Sequence, residues 1–159
     1  MTDFPRIIPL LVSAEIKFII IGGTAAIAHG SARLTEDLDI VYRRTSENIE
    51  RLVQALAPYQ PYLRGAPPGL PFKLDLATMQ RGLNFTLTTS LGDIDLLGEI
   101  AGGGNYENLA TDAVTLELFG TKCRCLNLEQ LIHSKRAAGR PKDIESIAEL
   151  ESLLIEQQN

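Results

Sequence analysis

Tryptophan is absent from this sequence, and cysteine, histidine and methionine occur only twice each. Two cysteines are too few for a disulfide framework, and they supply half the ligands of a structural zinc site. Cys123 and Cys125 stand one residue apart in a strand-like run. They are expected on opposite faces of that strand, as reduced structural thiols. Neither His29 nor His133 has a serine or cysteine partner whose setting suggests a nucleophilic triad. Capping or packing is expected of His29, and a surface or packing role of His133. No excess of positive charge exists: the net charge is −5, which argues against broad, non-specific coating of nucleic acid. Long apolar runs are missing too. The run Phe18–Ile21 is far shorter than the roughly 20 residues that cross a bilayer. A basic stretch leading into an apolar segment is not seen at the N-terminus, so a cytoplasmic protein with no membrane partner is expected. A phosphate-binding loop ending in Gly-Lys-Ser/Thr is also absent.

What remains is an ordinary globular composition, 45% hydrophobic and 22% charged, in 159 residues, which suits one domain. The pattern of elements is mixed. Pro5–Glu15 reads as a short helix and Lys17–Ile21 as a buried strand stopped by Gly22-Gly23. Thr24–His29 reads as the start of a helix, and Asp37–Tyr42 as the next strand. Ser46 is expected to cap a helix to about Ala57. Gln60–Pro71 holds four prolines and two glycines and reads as an irregular loop. Lys73–Ala77 reads as a plain edge strand. Asn84–Thr89 and Asp93–Leu97 alternate and form a hairpin, Ala101–Asn105 is glycine-rich and flexible, and Val114–Phe119 pairs with Lys122–Leu126. Asn127, with Gln130 in the capping-box position, starts a helix, and Pro141 opens a last amphipathic one. The whole chain, 1–159, is expected to be one domain, with a core over roughly 16–126 and C-terminal helices over roughly 127–157.

The chemistry lies in three stretches. A strand that leaves through two glycines into a helix exposes backbone N–H groups to an anion, and a side chain there would block close approach. Alone, such a turn is as often purely structural. Asp37 and Asp39 then lie two apart on an apolar strand, so both carboxylates face one side and repel each other. A divalent cation relieves that conflict. Magnesium suits it, because it takes one or two carboxylates and fills its shell with water and phosphate oxygens. The hairpin brings a second pair, Asp93 and Asp95, either of which can complete a three-carboxylate cluster able to hold two metals about 3.5–4 Å apart.

Gly22-Gly23-Thr24, followed by Asp37-Leu38-Asp39 and Ile94-Asp95-Leu96, resembles the nucleotidyltransferase superfamily with the DNA polymerase β-like core. The resemblance spans Phe18 to about Glu99. It implies an α/β (α+β) fold, with a mixed central sheet flanked by helices and a C-terminal helical tail. It further implies transfer of a nucleoside monophosphate from a nucleoside triphosphate (NTP) to a hydroxyl acceptor, with two Mg2+ ions. Gly22, Gly23 and Thr24 would hold the triphosphate. Asp37 and Asp39 would bind both ions and Asp95 the catalytic one, the family frame favouring Asp95 over Asp93. Arg33 and Lys135 would stabilise the departing pyrophosphate, with ion-pair or structural roles as the plainer alternatives. The stretch from His133 to Leu150 resembles the tail of nucleotidyltransferase toxins of abortive-infection and toxin–antitoxin systems. Lys135, Arg140, Lys142 and Asp143 match that tail, while Ser146 stands where its last aspartate belongs.

The acceptor, whether a tRNA end, a protein hydroxyl or a small molecule, is not written in the sequence. A rival expectation is a non-catalytic nucleotide-binding module, or one half of a toxin–antitoxin pair with a cognate partner protein. The presence of all three aspartates weighs against the non-catalytic form. A metal-dependent hydrolase would leave the Gly22-Gly23 turn without a purpose.

Overall fold

The computed structural model describes all 159 residues. Helix α1 (Phe4–Ser13) opens the chain, with Pro5 in its first turn, where the missing N–H costs nothing. It lays Ile7, Ile8 and Leu11 on the core. Strand β1 (Phe18–Ile21) is buried on both faces, which its unbroken apolar run requires. Helix α2 (Gly22–Ala28) follows with no intervening loop, so the two glycines belong to the helix rather than to a turn before it. Strand β2 (Asp37–Tyr42) returns antiparallel to β1, and α3 (Ser46–Leu56) follows, burying Ile49, Leu52 and Leu56 in the core. Thr45, not Ser46, caps α3 by accepting a hydrogen bond from the Asn48 N–H.

Two segments depart from expectation. The proline-rich stretch contains a two-residue strand, β3 (Tyr62–Leu63), which adds to the sheet edge against β4 (Phe85–Thr89). Lys73–Ala77 is not a strand. Asp75 caps a short helix, α4 (Leu76–Arg81), by accepting from the Thr78 N–H at 2.8 Å, and that local bond outweighs the alternating pattern. The expected hairpin is present as β4 and β5 (Gly92–Leu97). The three glycines at 102–104 turn a small ribbon of β6 (Glu99–Ile100) and β7 (Gly104–Asn105). A single helical turn, α5 (Tyr106–Leu109), leads to the antiparallel pair β8 (Ala113–Leu118) and β9 (Thr121–Leu126).

Seven strands form one mixed sheet in the order β3-β4-β5-β2-β1-β9-β8. Cys123 and Cys125 are free and both buried on β9. The expectation of opposite faces fails on geometry, since residues two apart in a strand share a face. The tail is α6 (Leu128–Ala138) and α7 (Pro141–Gln158), packed on each other. Asn127 caps α6 through the Gln130 N–H, but the Gln130 side chain reaches the Gly102 carbonyl instead of closing a capping box. No helix is long and apolar enough to cross a membrane.

Candidate active site

Strand register builds the site. In the antiparallel pairing of β1 with β2, Asp39 lies opposite Ile21, the residue before the glycines. In the parallel pairing of β2 with β5, Asp37 lies opposite Asp93 and Asp39 opposite Asp95. Four aspartates therefore share one face of two central strands. Thr2 locks the start of both strands: its hydroxyl donates to the Glu36 carbonyl and accepts from the Asp93 N–H at 3.0 Å. The carboxylates of Asp37, Asp39 and Asp95 converge, with one oxygen of each within 4.8 Å of the others.

This cluster is short of positive charge. Oδ1 of Asp39 is buried without a hydrogen-bond partner. Burial, reinforced by the carboxylates of Asp95 and Asp37, pushes the Asp39 carboxyl up to about 7. Gly22 stands directly against it. A Cβ on Gly22 would fall 2.5 Å from Asp39 Oδ2, and Gly22 has φ +65°, a conformation that favours glycine. A Cβ on Gly23 would fall 2.7 Å from the Thr35 hydroxyl. The glycines thus let the start of α2 close onto the acidic strands. Thr24 is buried, and its hydroxyl points to the Asp37 carbonyl at 3.4 Å. Its side chain braces β2 and does not line the cleft.

One cation does reach the cluster, and sequence reasoning missed it. Arg64, just after β3, places Nη2 2.8 Å from Asp95, Nε 3.3 Å from Asp93 and Nη1 3.6 Å from Asp37. The only signal was faint: Arg64 is the sole charged residue of 60–71, a stretch dismissed as loop.

A basic wall faces the acids from the tail. Asp143, almost fully buried at the start of α7, receives a forked pair of bonds from Arg140, at 2.6 and 3.2 Å. Lys135 Nζ is 3.8 Å from the same carboxylate. Burial opposes ionisation of Asp143, but Arg140 and Lys135 outweigh it and hold the carboxyl below its ordinary range. Burial also lowers Lys135 despite the nearby Asp143 charge. Ser146 donates its hydroxyl to the Asp143 carbonyl.

Between wall and acids lies a cleft of about 340 Å3, lined among others by Gly22, Gly23, Asp37, Asp39, Lys135, Arg140 and Lys142. Arg33 sits at its edge, tied to α7 by a bond to the Glu145 carbonyl and by Glu149 at 3.8 Å. A second cavity, about 270 Å3, opens on the other side of Asp39 and includes Asp95, with Leu97, Ile100 and Leu131 in its wall. His29 bonds the Leu126 carbonyl at 2.8 Å, a packing role. His133 packs against the glycine turn at Gly102.

Comparison with known proteins identifies the family and the fold. Residues 10–143 match the family described as nucleotidyl transferase AbiEii toxin of a type IV toxin–antitoxin system. No curated protein matches in sequence. In structure the chain is similar to the lincosamide antibiotic adenylyltransferase LnuA, solved with lincomycin bound, at 17% identity and a TM-score of 0.62, covering 95% of this chain and 96% of that one. It is also similar to a protein from Thermotoga maritima described as a nucleotidyltransferase, at 14% identity and a TM-score of 0.52, over 98% and 96% of the two chains. At those identities the likeness concerns the fold. The family match spans most of the sequence, from α1 to the buried aspartate of α7, and the chain therefore belongs to the AbiEii family of nucleotidyltransferases.

Proposed function

We propose that this protein transfers a nucleoside monophosphate from an NTP to a hydroxyl acceptor, using divalent metal held by Asp37, Asp39 and Asp95. The observation that carries this reading is the convergence of those three carboxylates against Gly22, opposite a basic wall. The cluster suits a cation on its own evidence: an orphaned buried oxygen on Asp39 and a carboxyl raised by its neighbours. When bound, two Mg2+ ions would supply charge neutralisation at the α-phosphate and lower the pKa of the acceptor hydroxyl.

The chain's own residues do the rest. Gly22 and Gly23 allow phosphate oxygens to approach the backbone, and Thr24 contributes its N–H while its hydroxyl steadies β2. Lys135, Arg140 and Lys142 face the triphosphate and the pyrophosphate that leaves, with Arg33 at the rim. Asp143 positions Arg140 and Lys135, and its charge opposes the effect of burial on Lys135. Asp95 borders the second cavity and Asp37 the first, so the acceptor is read as entering from the Asp95 side. Catalysis of this kind rests on positioning and charge. The family's description supports action as a toxin countered by a cognate antitoxin.

Thermal unfolding with magnesium and each of the four NTPs tests the site without an acceptor. A ligand at a hundredfold over its dissociation constant stabilises by about 2.7 kcal/mol. The expected result is a magnesium-dependent upward shift with a preferred NTP, lost in Asp37→Asn/Asp39→Asn. No shift with any NTP would remove the enzymatic reading.

A further inference from the structure

We infer that Arg64 is a resident cation of the carboxylate cluster, one that a divalent metal must displace in order to bind. The inference rests on the reading that Asp37, Asp39 and Asp95 hold metal. It adds a built-in competitor to that site.

The geometry is specific. Three different nitrogens of one guanidinium approach three different carboxylates, two of them members of the converging triad. Four aspartates on two paired strands carry four negative charges when ionised. Arg64 offsets one of them from the β5 side, while Lys135, Arg140 and Lys142 stand across the cleft. Asp39 is the aspartate that Arg64 does not pair with, and its Oδ1, like Oδ1 of Asp95, is buried without a hydrogen-bond partner. The site is thus only partly neutralised: held together by the guanidinium, with room for more positive charge.

A metal ion and the guanidinium cannot both keep their places. Asp95 Oδ1 and Asp37 Oδ2 lie 2.8 and 3.6 Å from guanidinium nitrogens. Metal–carboxylate bonds are shorter still, and like charges that close repel strongly. The segment carrying Arg64 allows it to leave. Its strand, β3, has two residues and lies at the sheet edge, outside the core. The backbone of Arg64 stays anchored by its N–H to the Thr86 carbonyl at 3.1 Å. Nη2 also donates to the Leu87 carbonyl at 2.7 Å, a bond that withdrawal from the acids gives up and that adds to the cost of displacement. Gly65, at φ +78°, follows immediately and supplies a pivot.

Arg64 is accordingly a positioning residue. It keeps the acidic strands intact in the absence of metal and weakens metal binding by competition. Full-length metal-free protein, titrated calorimetrically with MnCl2, tests this. Arg64→Gln is expected to unfold at a lower temperature without metal yet bind Mn2+ about tenfold more tightly, a typical coupling between linked sites. Arg64→Lys, which keeps the charge, is expected to stay near wild type. Equal or weaker Mn2+ binding by Arg64→Gln overturns the inference. So does a loss of NTP affinity with unchanged Mn2+ affinity, which would make Arg64 a nucleotide ligand. Should Arg64→Gln fail to fold, phenylglyoxal labelling of the wild type decides: Arg64 is expected to react faster once Mn2+ is bound, and an unchanged or slower rate is contrary. The Asp37→Asn/Asp39→Asn protein separates the two levels. If it binds Mn2+ as well as wild type, the metal reading itself fails, whatever Arg64 does.

Discussion

Single residues set the chemistry of the cleft, and Gly22 shows how tightly. Its positive φ and its closeness to Asp39 make Gly22→Ala doubly unfavourable. The backbone strain alone costs about 1–2 kcal/mol, readable by urea unfolding, and the new methyl displaces the Asp39 carboxylate. Activity is therefore expected to fall further than stability does. Asp39 gives a pH signature. Its carboxyl is raised to about 7 in the folded, metal-free protein and returns to the ordinary range near 3.8 on unfolding. Between those values the folded state holds a proton that the unfolded state has released. Metal-free stability therefore falls as pH rises through that window and levels off above it. Chemical denaturation at a series of pH values is expected to show this slope in wild type and to lose it in Asp39→Asn. At this scale the sequence was readable where chemistry is local. Two aspartates two apart on an apolar strand declare a shared face, and a third in the same frame declares a cluster. Arg64 was not readable, because its meaning comes only from the pairing of β3 with β4, which carries it across to β5 and β2. The direction of the Thr24 hydroxyl, toward the Asp37 carbonyl of β2, was likewise not readable, because it is set by packing.

Elements place those residues. The parallel register of β2 with β5 aligns Asp39 with Asp95, and a slip of one residue would turn every aspartate of one strand to the opposite face. The hairpin of β4 and β5 was legible from its alternation, and the start of α6 from Asn127. Lys73–Ala77 was misjudged because Asp75 competes locally for a helix cap, which alternation does not reveal. The elbow between α6 and α7 is held by Asp143. Its carboxyl is depressed by Arg140 and Lys135 against the opposing effect of burial, so the stability it contributes is present above the ordinary carboxylate pKa. That contribution is lost as pH falls through the depressed value. Asp143→Asn is expected to cost about 1.5–3 kcal/mol at neutral pH, as for a hydrogen bond to a charged group. The difference from wild type is expected to shrink in acid. Loosening of Lys135 and Arg140 in this variant should weaken NTP binding, measurable by titration, while leaving Mn2+ binding by the three aspartates in place.

The whole molecule sets charge against charge. A chain with net charge −5 gathers Lys135, Arg140 and Lys142 on one wall of a cleft whose floor is acidic. The family and the α/β class were legible in advance because the glycines, the aspartates and the tail each carry part of the pattern. The twin cavities were not, since they form only when α6 and α7 close over the sheet. Transfer of a nucleotide, as opposed to binding alone, is the central claim. It is tested most directly with α-32P-labelled NTPs, magnesium and separate RNA, protein and small-molecule fractions of a cell extract, comparing wild type with Asp95→Asn. The account predicts that wild type places label on one fraction and releases pyrophosphate. Asp95→Asn still binds the NTP but transfers at a rate lower by at least about 10²–10³-fold, as when one group that stabilises transition-state charge is removed. Label on no fraction, with the NTP bound and returned intact or only its γ-phosphate lost, would contradict it.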